Sequence, residues 1–522
     1  MFRFSQTRAH SDRLQPSYAF TFLLTVFLAT GCNSNAARPP SAATAPITLT
    51  VGYPHQTGQD PLHGVQQAAR LLSFEGLAYL ARDGRPHPRL ARSWRESQDG
   101  LTWSIQLRPD ARFHDGTPVD AAAVKESLDR AIAGRERAFR PGLSDILSIE
   151  AQSKTELVIR LSARSTFAID DLTVSIVRNS NGAEVGTGPF VTTSTSATEV
   201  VMTAAPNYYR TKPVIDRIVW RAYPAVRTAW AAMMRGDIDF LYEVAPETLE
   251  FIDPEESVSV FPFLRNYVYA IALNTKRHPF NAWQVRRALS YAVDRQRIIE
   301  LALKGKGKAA NGPMWPEHWA FDSSIPEFAH DPSRATALLD AAGVPTTRTS
   351  AISGVPARLH FTCLVPRTFA LWEHMALIAQ RDFAQVGIDM QFESVPFDDF
   401  NRRLSTGNFD AAVMELVVGN SVSRPYFFWH SEGLMNAWGY DNPKVDAALD
   451  NIRRAPDEGT YRSAFRALQA EALGDPPAVF LALGEVTRAV SKRFKVVGQP
   501  GIDIISTIPD WEVGDDLART AP

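Results

Sequence analysis

Residues 112–119 read Arg-Phe-His-Asp-Gly-Thr-Pro-Val, and His114 beside Asp115 is the chain's nearest approach to a catalytic acid–base pair. Neighbouring side chains in a turn rarely converge on one substrate atom, and Asp-Gly followed by Thr-Pro is a sufficient turn signal. A structural role is expected for His114. No Gly-x-Ser-x-Gly, His-Glu-x-x-His or Gly-x-x-x-x-Gly-Lys-Ser/Thr occurs, and the Gly-Lys-Gly-Lys at 305–308 lacks the spacing of a phosphate loop. The 11 histidines are scattered, with none paired four residues apart on a helix. Asp398-Asp399 reads as solvated surface. The two cysteines, Cys32 and Cys363, exclude a disulfide scaffold and any cysteine-based metal cluster. Neither an enzyme, a metal site nor a cofactor is expected; the chemistry left is binding.

Cys32 has its own context. Arg3, Arg8 and Arg13 precede an apolar run, Tyr18 to Thr30, that is shorter than the roughly 20 residues of a bilayer-spanning helix. A basic stretch, a short apolar core and small residues form a secretory signal peptide, assigned to 1–31. Leu28-Ala-Thr-Gly-Cys32 resembles the lipobox of bacterial lipoproteins, whose cysteine is lipidated and becomes the new N-terminus; Ala29 stands where that motif usually has leucine. Residues 32–46 are small, polar and Pro-rich, a tether whose ends lie roughly 20 Å apart. The expectation is a body held at a membrane surface through Cys32. Cys363, inside the apolar Leu-His-Phe-Thr-Cys-Leu-Val, is expected to be a buried thiol.

The body must be built from several lobes, since 522 residues exceed one ordinary core. Its 45% hydrophobic and 21% charged residues are ordinary globular composition, and a net charge of −2 gives no reason to expect nucleic-acid binding. Leu101–Leu107 alternates as a strand; Asp120 caps a helix carrying Val124, Leu128 and Ile132 on one face. Further along, Tyr267–Leu273 reads as a strand and Val285–Leu303 as a helix. Another helix starts at Asp331-Pro332 and is closed by Gly343. Ala370–Val386 is helical up to Gly387, with a strand at Ile388–Phe392. Phe409–Val418 is a buried strand, and 443–473 is helical. Mixed α/β lobes follow.

The stretch Arg89–Ala131 resembles the signature of the family 5 extracellular solute-binding proteins, the peptide, nickel and oligosaccharide receptors of ATP-driven importers. It carries Leu90-Ala91, Ser93-Trp94, Asp99–Thr102, Leu107-Arg108, Phe113 and Asp115–Pro118 in family order. Where the family often has Glu-Asp-Val, Ala122-Ala123-Val124 stands. Gly186–Phe190, Asn207-Tyr208-Tyr209 with Lys212-Pro213, Arg235–Asp239, Leu273–Thr275, Val285-Arg286, Ala292–Arg295 and Asp331–Gly343 extend the resemblance across nearly the whole mature chain. It implies an α/β, bilobal periplasmic-binding-protein fold of type II, in the large three-domain form with a two-strand hinge. Lobe I would comprise 47–74, 186–263 and 480–516, the extra domain 75–185, and lobe III 264–479. The His-Asp-Gly-Thr-Pro turn would lie in the extra domain, away from the ligand cleft.

The same resemblance implies an extracytoplasmic receptor that captures a small, peptide-like or other solute between lobes and hands it to the permease subunits of an ABC transporter. The expected state is a lipid-anchored monomer in the periplasmic or extracytoplasmic space. A surface sensor without a transporter and a hydrolase on the same scaffold are the rivals. In peptide-binding relatives an acidic residue after the strand equivalent to 409–411 pairs with the ligand's α-amine. Here the segment runs from Glu415 to Pro425, with Leu416 in place of tryptophan and Gly419 near the place of the aspartate. Ordinary peptides are therefore not the expected ligands. The candidate ligand-binding residues are Tyr53, His55, Glu415, Asn420, Arg424 and Trp429, with Arg424 suited to a carboxylate or phosphate.

Overall fold

The structure is a computed structural model that describes residues 45–55, 62–245, 248–249, 257–346, 348–349, 354, 356–498 and 501–514. Cys32, the signal segment and nearly all of the tether lie outside the described residues.

Apolar residues alternate along Thr48–Pro54, burying Leu49 and Val51, so this strand can sit inside a sheet. It pairs in parallel with Arg217–Tyr223 and Phe240–Leu241. Among the described residues the largest sheet has eleven strands. Its other end is a parallel unit, Leu359–Pro366 and Ile388–Val395, joined by the helix Ala370–Gln385. Cys363 lies on the first of these strands, fully buried, with burial pushing its thiol up to about 12. A separate four-stranded antiparallel sheet contains Ala91–Glu96, Thr102–Leu107, Glu156–Leu161 and Ile146–Ala151.

Hydrophobic residues gather accordingly. One core surrounds Leu49, Val51, Trp220 and Trp511. A second surrounds Leu90, Ile105, Phe113, Val124 and Leu128 on the four-stranded sheet. The largest joins Val268–Leu273 to Ala478–Leu483 and the helices behind them. The chain is thus mixed α/β with the bilobal, large-sheet architecture expected from the sequence.

Two long helical stretches are broken where capping residues interrupt them. Val285–Leu303 becomes Trp283–Ala292 and Arg295–Ala302, because the Asp294 side chain accepts from the Arg297 amide and starts a new helix. Residues 443–473 become Pro443–Arg453 and Glu458–Gly474 in the same way, with Asp457 capping Thr460.

The 112–119 segment is a turn that joins two parts of the chain. Asp115 accepts from the Thr117 amide at 3.0 Å, and Gly116 has φ +83°. The His114 amide donates to Gly186 O, and its Nε2 lies 2.9 Å from Gly188 O. Burial lowers the imidazole's pKa, so the ring is a neutral strut. An added Cβ at Gly116 would meet nothing closer than Asn207 Nδ2 at 3.9 Å, so only the backbone opposes substitution. Gly116→Ala is expected to cost about 1–2 kcal/mol in urea unfolding, and His114→Gln to leave solute affinity unchanged in calorimetry.

Candidate ligand-binding site

Two strands pass from one core to another. Val258–Leu273 and Ala478–Ser491 pair antiparallel over most of their lengths. Val258 and Ala489 belong to a small cluster around Ala229 and Leu241; Val268–Leu273 and Ala478–Leu483 belong to the largest core. Between these regions the pairing slips, from Leu264 to Val268. A register slip bends the ladder and leaves its residues without regular partners on Ala478–Ser491. Arg265 and Tyr267 sit in that slip.

The strand's alternation sends Arg265, Tyr267 and Tyr269 toward one side. The Arg265 guanidinium lies 4.6 Å from the Tyr267 ring centroid and 3.0 Å from Glu415 on the neighbouring strand Ala411–Val417. Tyr269, directly across from Glu415, also hydrogen-bonds it. Burial raises the Glu415 pKa, and Arg265 opposes that rise. Glu415 is therefore already partnered by a cation of its own chain. Close by stand Tyr53 and Tyr242, with ring centroids 4.4 Å apart; burial and then Tyr242 push the Tyr53 phenol up to about 12. Arg488 lies 3.8 Å from the Tyr242 ring centroid and 2.8 Å from Asp503.

Beyond the strand, Val418–Val422 turns into the short helix Ser423–Trp429. Arg424 Nη1 donates to Phe139 O at 3.0 Å, and among the described residues no carboxylate lies within 4.0 Å of its guanidinium. Burial and then the like charge of Arg140 lower its pKa. Phe139 and Phe427 are in ring contact at 5.8 Å beside a crevice of about 490 Å³ lined in part by Ile132, Arg137, Pro141, Tyr426 and Leu434. The crevice lies between the 132–144 region and the helix Ser423–Trp429.

Behind Arg424 are two buried carboxyls. Asp170 accepts from Ser421 Oγ at 2.6 Å and is pushed up to about 7 by burial. Asp171 accepts from the Gly142 amide at 2.7 Å and is pushed up to about 6, again by burial, with Arg140 and Arg424 opposing. A carboxyl whose folded pKa is raised makes the native state bind more protons than the unfolded state between about pH 4 and 7, so its effect destabilises as pH rises through that window. Wild type should therefore gain on the order of 2 kcal/mol relative to Asp170→Asn between pH 7.5 and pH 5.5. His318, held down to about 4 by burial, acts in the opposite direction but equally in both proteins. Urea unfolding at the two pH values measures the difference.

The sequence candidates are distributed unevenly. Tyr53 and Glu415 both stand near Arg265, and Arg424 stands near Tyr267. His55 follows the strand Thr48–Pro54, its amide bonded to Tyr223 O. The Asn420 side chain donates to Ala81 O at 3.0 Å. Trp429 is 2% exposed, packed on Trp438 and Phe480 in the largest core. Arg265, Tyr267, Tyr269 and Tyr242 are not among the sequence candidates, although Arg-Asn-Tyr-Val-Tyr at 265–269 alternates legibly. Asp170-Asp171, carboxylates inside the run Phe167–Leu172, are legible in the same way. Among the described residues no group of three His, Cys, Asp or Glu is placed to hold a metal ion. No described helix is long and apolar enough to cross a membrane.

The family model for bacterial extracellular solute-binding proteins, family 5 Middle, matches residues 85–437. The nickel-binding periplasmic protein of Escherichia coli K12 is 28% identical over 90% of this chain and 94% of its own length. The glutathione-binding protein GsiB of Pectobacterium atrosepticum is 25% identical, over 89% and 94%. The structure of the binding protein AgaA from A. tumefacien R10 in complex with agropinic acid superposes with a TM-score of 0.73 at 25% identity, covering 89% of this chain and 98% of that one.

Proposed function

We propose, from the premise that the chain belongs to the family 5 bacterial extracellular solute-binding proteins, that it is the substrate-binding lipoprotein of an ABC importer. It would capture a neutral or anionic solute between two lobes and deliver it to a membrane permease. Members of this family bind solutes, and the curated relatives are named for binding nickel and glutathione. The lobes would be 47–74 with 186–263 and 480–516 on one side and 264–479 on the other, with 75–185 as the extra domain. Closure would bend the strands at the slip between Leu264 and Val268. Cys32 would carry the lipid and the body would act as a monomer.

One observation carries the solute class: Arg424 is half-buried with no carboxylate of its own chain within 4.0 Å among the described residues. A cation removed from water needs an anion or it loses several kcal/mol. Glu415, the acidic residue that could have taken a ligand ammonium, is bound to Arg265. An acidic solute satisfies Arg424; a free-amine peptide leaves its ammonium without a carboxylate. The complex of AgaA with agropinic acid makes an opine-like acid a reasonable first probe. Calorimetry against agropinic acid, reduced glutathione, Ni(II)–L-histidine and trialanine tests this. Tight binding of trialanine with no response to the acids would remove the anionic assignment. A permease and an ATPase encoded beside this chain would separate a transport receptor from a surface sensor.

A further inference from the structure

The short hairpin of Ala78–Leu80 and Pro86–Pro88 carries a tight turn at its tip, closed by hydrogen bonds from Gly84 N to Ala81 O and from Ala81 N to Arg85 O. Three successive carbonyls of this turn are engaged from beyond the hairpin. Each accepts a hydrogen bond from a residue far away in sequence: Ala81 O from Asn420 Nδ2 at 3.0 Å, Arg82 O from Trp315 Nε1 at 2.8 Å, and Asp83 O from the Trp319 amide at 2.9 Å. The flanking side chains repeat the pattern. Arg82 pairs with Glu317, and Arg85 pairs with Glu458 at 2.7 Å while lying 4.5 Å from the Trp319 ring centroid. Leu77 and Leu90, on either side of the hairpin, belong to the core of the four-stranded sheet. Trp315 and Tyr461 belong to the largest core.

Gly84 makes the approach possible. Its φ is +85°, and a Cβ there would run into Asn420 O and the His318 ring. The turn is therefore seated against the opposite surface by backbone, with no room for a side chain. The contact is also polar and ionic, the composition of an interface that opens and closes rather than of a permanent core.

We propose that the Ala81–Gly84 turn is a latch, with Gly84 and Asn420 as positioning residues, that holds the extra domain against lobe III when the lobes close on solute. This rests on the lobe-closure reading above. Asn420 then acts on affinity through the closed state and not by touching solute. Its own contribution and that of the ion pairs are modest singly, since exposed pairs are weak. Acting together they bias closure, and solute affinity falls in proportion to the fraction of closable protein lost.

The test uses a disulfide at another contact between the extra domain and lobe III. Phe139→Cys with Phe427→Cys, in a Cys32→Ser background, puts one thiol on each side of the contact in which the two ring centroids now lie 5.8 Å apart. Under mild oxidant the rate of cross-linking reports visits to the closed state even when these are rare and no solute is known. Gly84→Val is expected to slow cross-linking at least tenfold. Arg82→Ala with Asn420→Ala, which leaves the turn backbone intact, is expected to slow it several-fold. Arg82→Ala with Asn420→Ala should keep the melting temperature of the uncross-linked protein close to that of the parent, which a merely structural defect would not, whereas Gly84→Val also carries the backbone cost of a side chain at φ +85° and lowers it. Equal rates in parent and both variants overturn the latch and leave lobe closure standing. Absence of any cross-link in the parent overturns lobe closure and the latch with it.

Discussion

Arg424→Ala is expected to weaken binding of the anionic solute by roughly a hundredfold or more, with little change in melting temperature of the solute-free protein. The arithmetic follows from pairing. Breaking a buried ion pair by removing one partner costs about 3–5 kcal/mol, and a hundredfold in Kd is about 2.7 kcal/mol. The lower value is the appropriate one, because Arg424 is only half-buried and solvent screens part of the interaction. Stability should fall only modestly, since without solute the guanidinium has one backbone acceptor, a repelling neighbour in Arg140 and an attraction to Asp171 across more than 4.0 Å. Arg424→Lys keeps the charge but loses the planar fork, so an intermediate loss is expected. Calorimetry and thermal melting together check this. Sub-micromolar binding of unmodified peptides, abolished by Glu415→Gln and indifferent to Arg424→Ala, would reverse the assignment of the two residues.

Cys32→Ser is expected to move the protein out of the membrane fraction, or to leave an uncleaved precursor there without lipid. Each buried methylene of an acyl chain contributes about 0.8 kcal/mol, so a multiply acylated cysteine anchors almost permanently, while a serine anchors nothing. The measurement is fractionation combined with radioactive palmitate labelling in the native cell. Label incorporated into the Cys32→Ser variant at the parental level would remove Cys32 as the attachment point.

Much of the scaffold was legible because its signals are local. Asp120, Asp331 and Asp457 each bond a helix-initiating amide three residues on, and Gly343 and Gly387 take positive φ just after the helices Pro332–Ala341 and Ala370–Gln385. The segment 112–119 behaved as a turn for the same reason. The helix breaks at Asp294 and Asp457 are invisible to periodicity alone, because the apolar spacing continues through residues that cap a new helix. The site was less legible, since it depends on which distant strands become neighbours. Glu415 stands out in sequence as an acid inside the apolar run Ala411–Val418; only the pairing of Ala411–Val417 with Val258–Leu273 supplies its partner, Arg265. Trp429 is one of the sequence candidates, yet the helix Ser423–Trp429 turns it into the core with Trp438. The partner of Asn420 was hidden in the same way, since Ala81 lies 339 positions away along the chain.

The most direct test of solute capture is native mass spectrometry of the body, residues 47–522, purified without denaturation from cells grown in rich medium and then equilibrated with an extract of that medium. The expected spectrum shows the chain carrying one extra small mass, lost on denaturation and absent from Arg424→Ala prepared identically. A spectrum with only the mass of the polypeptide, before and after equilibration, would contradict a solute-binding role.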